Sequence, residues 1–269
     1  MGSRARLLIC LGLVAVLFGV HVALKMRKIS ANPTWDSRDE VGQFWSECAF
    51  HYRFAKFFAE HPAGDWAQLA RDRTVQYPDA INDWAEFTVA MEVPAGVLYR
   101  WWQPAIPFHV FVVWYDCLVS SLTLFAVFFL ARVMWRSDGA GLLAAVLYAS
   151  LYPSYGRTVK NLFLREDFAI PILVGALAAT VWMLQDTWRS GGTGPYPAPK
   201  RPAVSRYRQV LAGLLWLAAL SSWHLTQFVL AVAVGATVLV YLGKGETPRR
   251  PWFVLVLTLG AVLVPVLRA

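Results

Sequence analysis

Three short stretches of this sequence carry the residues that could do chemistry. The first is Phe44-Trp45-Ser46-Glu47-Cys48-Ala49-Phe50-His51-Tyr52-Arg53. On a helix, Glu47 and His51 stand four apart and share a face, with Phe50 and Phe54 beside them. A carboxylate among aromatic rings is partly desolvated and suited to take up a proton as a general base. A solvated Glu paired with His or Arg on an amphipathic loop helix accounts for the same residues without chemistry. The second stretch is Arg165-Glu166-Asp167, at the head of an apolar run. Arg165, with Arg157 or Lys160 in support, offers the bidentate donors that suit phosphate oxygens. Acids at a helix start also complement its dipole, so anchoring and capping are an equally sufficient account. The third is Trp223-His224-Leu225-Thr226-Gln227, within an otherwise apolar run. Polar groups at membrane depth are costly and are functional hypotheses by default. Taken alone, His224 reads more simply as a hydrogen-bonded buried histidine. Metal ligation through Glu47, Glu166 and Asp167 is open on residue type, but no spacing demands it. H-E-x-x-H, the P-loop pattern and a convincing G-x-S-x-G are missing. Cys10, Cys48 and Cys117 form no C-x-x-C pair, which removes a zinc ribbon, and they are too few for a disulfide framework.

The elements that must position these residues are membrane spans. Hydrophobic residues make up 57% of the 269-residue chain and charged residues 16%, against about 25% charged in soluble domains. Mean hydropathy is +0.45. A helix needs roughly 20 apolar residues to cross the hydrocarbon core. That length and the hydropathy pattern place spans at about 7–24, 108–131, 140–155, 168–188, 210–222, 225–242 and 252–267. A long outer loop fills 25–107. The fold class expected is an all-α, polytopic membrane helix bundle. Within the loop, Asp39 or Glu40 is expected to start a helix running to about Glu60, stopped by Pro62. The first span is read as uncleaved, because a basic cluster (Lys25, Arg27, Lys28) follows it where a signal peptide would carry small residues.

Charge supports the same picture. Residues 25–107 hold nine Lys/Arg against 11 Asp/Glu, whereas the rest of the chain holds 16 against six. The basic excess lies in short loops, above all 189–208 and 244–250, which marks the cytoplasmic side. Counting spans from 189–208 puts the long loop, the stretch before Phe168 and the turn near Trp223 together on the outer side. A nucleic-acid reading needs a basic face on a soluble fold, which this pattern lacks. Trp101-Trp102, just before the second span, fits an interfacial aromatic belt.

Four local sequences then resemble one family, in the right order along the chain. Ser46-Glu47-Cys48-Ala49-Phe50-His51-Tyr52-Arg53 resembles the start of the first outer loop of the protein C-mannosyltransferases, the "dumpy" family of the GT-C glycosyltransferases. Arg73-Thr74-Val75-Gln76-Tyr77-Pro78-Asp79-Ala80-Ile81-Asn82 resembles a later segment of that loop. Leu164-Arg165-Glu166-Asp167-Phe168 is similar to its Leu-Arg-Glu-Ser-Phe motif. Trp223-His224-Leu225-Thr226-Gln227-Phe228 is similar to its Trp-Gln-Phe-Ala-Gln-Phe stretch. Asp167 stands where the family has a small hydroxyl residue, and His224 where it has an amide.

The resemblance implies transfer of mannose from a dolichyl- or polyprenyl-phosphate-mannose donor to tryptophan of a polypeptide acceptor, without metal or other cofactor. It implies Glu47 as the catalytic base. It implies donor and lipid-phosphate binding by Arg165, Glu166, Arg157 and His224, with His51, Trp223 and Gln227 on the acceptor side. The bilayer is the expected setting, with the active side lumenal or periplasmic. That means the ER membrane in a eukaryote and the cytoplasmic membrane in a prokaryote. Family members are longer, so the chain is expected to correspond to their N-terminal part. Other GT-C transferases are the competing enzymes, either oligosaccharyltransferase-like or O-mannosyl- or arabinosyl-transferring. The first of these uses an Asp-x-Glu metal motif, and Arg165-Glu166-Asp167 puts an arginine where its first acid falls. A catalytically inactive membrane scaffold is the competing non-enzyme, and a transporter would need paired broken helices that the spans lack.

Overall fold

A computed structural model describes residues 2–75, 78–160, 162–188 and 206–243. The described residues are helical apart from turns, loops and one isolated backbone bridge. The all-α membrane class is what the sequence predicts. Helix α1 is Ser3–Ser30, α2 Glu47–Glu60, α3 Asp83–Glu86, α4 Glu92–Trp102, α5 Phe108–Ser121 and α6 Thr123–Trp135. Helix α7 is Asp138–Ser150, α8 Pro153–Lys160, α9 Arg165–Trp188, α10 Arg206–Ser222 and α11 Leu225–Gly243. Three stretches are long and apolar enough to cross a membrane: Arg4–Ser30, Phe108–Trp135 and Arg165–Met183. Shorter apolar helices lie at Asp138–Ser150 and Leu225–Gly235. The expected span at 252–267 and the basic loops 189–205 and 244–250 lie outside the described residues.

Several boundaries have local causes. Helix α1 continues past residue 24 to Ser30, so the Lys25 cluster is helical rather than loop. The second apolar run is interrupted at Leu122, between α5 and α6. Just before the interruption, Ser120 Oγ donates to Asp116 O at 2.6 Å and Ser121 Oγ to Cys117 O at 2.7 Å. Such hydroxyl back-bonding competes with the helical ladder. The helix expected from Asp39 or Glu40 starts only at Glu47. The Asp39 side chain instead accepts from Val41 N at 2.9 Å, and Gly42 and Ser46 take φ of 76° and 54°. No α-helix passes through two left-handed residues. Its other end falls as predicted, one residue before His61-Pro62.

The outer loop folds onto the bundle through α2 and α4. A Cβ at Gly96 would lie 2.4 Å from Ala55 O and 2.6 Å from Phe58 Cβ. Only glycine permits this approach, and it clamps α4 against α2. Tyr52, Ala55, Met91, Ala95, Phe111, Val112 and Phe163 form the apolar cluster that joins both helices to α5. Each buried large side chain of this kind contributes about 1.5–3 kcal/mol. Trp101 and Trp102 at the end of α4 are exposed, as an interfacial belt requires.

Candidate functional site

The α2–α4 clamp decides the site. One helical turn before the Ala55–Gly96 contact, α2 carries His51 and α4 carries Glu92. Both are fully buried, and His51 Nδ1 lies 2.6 Å from Glu92 Oε1. On its other edge, His51 Nε2 lies 3.4 Å from Glu47 Oε1, one turn earlier on the same helix. The shared face of Glu47 and His51 is therefore real. Its setting differs from expectation: the Glu47 side chain is 57% exposed. Position 47 is the first residue of α2, where the chain turns out at Ser46. The aromatic side chains pack farther along, Phe50 on Phe54 and Phe87 at 4.6 and 4.5 Å. Glu47 is a carboxylate at the mouth of the site, not one desolvated among rings.

Arg165 reaches the same centre from α9. Its Nη2 lies 3.8 Å from Glu92 Oε1 and 3.4 Å from His51 Nδ1, and its side chain is largely buried. Glu166 turns the other way and accepts from Arg157 Nη2 of α8 at 2.7 Å. Asp167 points into the bundle. There it is hydrogen-bonded to Asp116 of α5 and to Thr158 of α8, and it faces Lys25 of α1. Lys25 has no exposed surface and donates to Ser120 Oγ at 2.7 Å. The tripeptide thus sends three charged groups to three different elements.

The turn that presents Arg165 is strained. Phe163 is fully buried at φ 67°, a left-handed conformation that costs a bulky residue on the order of 1–3 kcal/mol. Ring burial and a hydrogen bond between its backbone and the Asp116 carboxyl offset that cost. At the site, Arg165 Nε, Glu92 Oε2 and Glu166 Oε2 have no hydrogen-bond partner among the described residues. Each keeps unused donor or acceptor capacity.

The third stretch is placed differently. The α10–α11 turn does touch the outer loop, because Thr88 Oγ1 donates to Ser222 O at 3.2 Å, four residues before Glu92. Trp223 and Gln227 are half-buried there, and His224 is exposed rather than buried. Trp223 and His224 pack edge to face at 6.5 Å. Among the described residues, no hydrogen bond or ion pair links Trp223, His224 or Gln227 to Glu47 or Arg165. The site therefore unites Glu47, His51 and Arg165 in one string of contacts through Glu92, while the Arg157–Glu166 pair leads away from the next residue of α9 and the hairpin turn lies beside it.

Glu92 is the residue that sequence reading missed. Its signal in the sequence was slight, a lone acid at the head of an apolar stretch, Glu92-Val93-Pro94-Ala95-Gly96. A small cleft of about 50 Å³ opens between the end of α1, the loop after it and α8, lined by Asn32, Trp35, Gln43, Trp45 and Lys160 among others. Among the described residues, no three or more His, Cys, Asp and Glu side chains are grouped to hold a metal ion, and Glu47 does not meet Glu166 and Asp167.

A second carboxyl pair closes the loop segment 73–82. Asp72 and Ile81 exchange both backbone hydrogen bonds, at 3.0 and 2.9 Å. Burial would raise Asp72, but hydrogen bonds from the Thr74 side chain and backbone and from Arg53 outweigh it and hold the group below the usual carboxylate range. Asp83 is fully buried; burial and its hydrogen bond to Asp72 push it up to about 7.

Fold and site together define an integral membrane protein of the all-α class, with a charged centre where the long loop after α1 meets the bundle. The chain matches the family described as Dpy19: Q-cell neuroblast polarisation over residues 36–267, and so belongs to it. That family is the C-mannosyltransferase family. Comparison with curated proteins gives no match.

Proposed function

We propose that this protein is a membrane glycosyltransferase that moves mannose from a dolichyl- or polyprenyl-phosphate carrier to C2 of a tryptophan indole in a polypeptide. The reading rests on family membership together with one observation: Glu47, open to the outside, stands in a string of contacts with His51, Glu92 and Arg165. In this reaction a C–C bond forms between the indole C2 and the sugar C1. The C1–O bond breaks, and its electron pair leaves with the lipid phosphate. The ring then loses its C2 proton to Glu47. Indole carbon is a weak nucleophile, so a carboxylate placed at the ring edge matters. Arg165 and Arg157 supply charge-assisted hydrogen bonds to the phosphate as it gains charge, with Glu166 orienting Arg157. His51 lies on the acceptor side. Trp223, Gln227 and the exposed His224 complete the two substrate sites from the hairpin turn.

The bilayer holds the donor's polyprenyl tail, and the reaction takes place on the lumenal or periplasmic face, without a metal cofactor. The test is reconstitution with a lipid-phosphate mannose donor and a W-x-x-W peptide, read by mass spectrometry as a hexose adduct that resists glycosidic cleavage. Glu47→Gln is expected to lower the yield by roughly 10²–10⁴-fold. An undiminished yield removes Glu47 from the chemistry. An adduct on serine or threonine would move the protein to the O-mannosyl class.

A further inference from the structure

We infer that Glu92 is a positioning residue that fixes the tautomer of His51, so that His51 takes the proton from Glu47 and resets it. The inference deepens the proposed transfer reaction and rests on it for its catalytic part. Its structural part stands alone.

Geometry separates the two possible hydrogen-bond patterns. In one, His51 carries its proton on Nδ1, donates it to Glu92 and presents a bare Nε2 to Glu47. In the other, Nδ1 is bare and accepts from Arg165, while Nε2–H donates to Glu47. The Nδ1–Glu92 contact is 2.6 Å, and the Nδ1–Arg165 contact is 3.4 Å. The short contact is the hydrogen bond, and Nδ1–H is the donor because the Arg165 guanidinium lies 3.8 Å from the same Glu92 oxygen and holds it as an acceptor. A carboxylate behind an imidazole selects its tautomer and stabilises the imidazolium that forms. Glu92 has no exposed surface, so water does not compete for this bond. At the other end Glu47 is 57% exposed and reachable by substrate.

The proton then has a path whose balance closes. The indole C2–H bond breaks, its electron pair returns to the ring, and the proton bonds to a Glu47 oxygen. From Glu47 it passes to the His51 Nε2 lone pair, 3.4 Å away. Glu47 is again a carboxylate and the imidazolium is paired with Glu92; after product leaves, the Nε2 proton returns through the exposed Glu47 to water.

Two readouts test this on the purified protein in detergent or liposomes. Nitrogen-15 NMR of labelled histidine, with the signal assigned by its loss in His51→Gln, is expected to show Nδ1 protonated and Nε2 bare. Glu92→Gln, whose amide donates to Nδ1, is expected to reverse that pattern. Finding Nε2 protonated in the wild type, or no change in Glu92→Gln, overturns the inference whatever the protein transfers. In the transfer assay, Glu92→Gln is expected to lower kcat by roughly 10–10³-fold with KM for donor and peptide held within threefold, and Glu92→Gln/His51→Gln to be no worse than His51→Gln alone. Fully additive losses would show that Glu92 acts apart from His51 and overturn the relay. Should Glu92→Gln fail to accumulate, Glu92→Asp replaces it: the shorter side chain lengthens the bond, and an unchanged kcat overturns the proposal. Activity surviving in Glu47→Gln would sink the assignment of the base and leave the tautomer result standing.

Discussion

Two charged clusters lie on either side of the first turn of α9, and they are built in opposite ways. In the bundle, Lys25, Asp116 and Asp167 meet Ser120 and Thr158 with almost no exposed surface. Lys25 faces both carboxyls from α1. Toward the outer loop, Glu92, His51 and Arg165 are equally buried, but the string ends at an exposed Glu47. A closed cluster whose members meet only one another joins α1, α5, α8 and α9. An open one has a member that can exchange a proton with a substrate. Residues two apart on α9 serve both: Asp167 belongs to the closed cluster and Arg165 to the open one. The closed set fixes the helix end from which the open set works.

Removing Lys25 is the most severe way to break this contrast. Lys25→Met leaves the Asp116–Asp167 pair without its counter-charge and is expected to cost on the order of 3–5 kcal/mol. Thermal unfolding in detergent measures it. A midpoint equal to wild type would mean that the cluster does not hold the bundle. Gly96→Ala attacks the open cluster through the backbone, since the new methyl collides with Ala55 O and Phe58. The expected loss is about 1–3 kcal/mol. The α2–α4 register shifts with it, so transfer should drop by more than stability does. Full activity at normal stability would show that the clamp is not what seats His51 on Glu92.

The smallest effect sharpens the comparison with the second carboxyl pair, in the long loop. Asp83 is raised to about 7 beside Asp72, with Arg53 the cation facing them. An unfolded Asp titrates near 4. Between those values the folded loop keeps a proton that the unfolded chain has lost, so loop stability falls as pH rises from about 4 to about 7 and is level above. Asp72 is shifted the opposite way, so its own contribution fades only below about pH 4. Asp83→Asn mimics the protonated form and is expected to flatten the dependence. Hydrogen-exchange protection of the 72–83 segment, followed across pH 4.5 to 8, decides it. A variant that keeps the wild-type slope would place the titrating group elsewhere.

The sequence by itself determined what could be read locally. Long apolar runs dictate helices, His61-Pro62 ends α2, and four spacing makes neighbours of Glu47 and His51. Motif order along the chain also pointed to the family. The tertiary structure alone decided the rest. Lys25 looked like part of a basic flank, and only the packing of α5, α8 and α9 around α1 makes it a buried counter-ion. Glu92 had no helical partner within reach in the sequence. A glycine four residues on brings it to His51, 41 positions away. Left-handed turns at Gly42 and Ser46 delayed α2, and so put Glu47 at its exposed first residue instead of among rings. The turn expected near Trp223 falls between α10 and α11 as read, but His224 in it is exposed rather than buried. Periodicity and hydropathy report which face of one element prefers water. Which distant charge will meet that face depends on how closely two backbones approach, and side-chain type alone does not encode that.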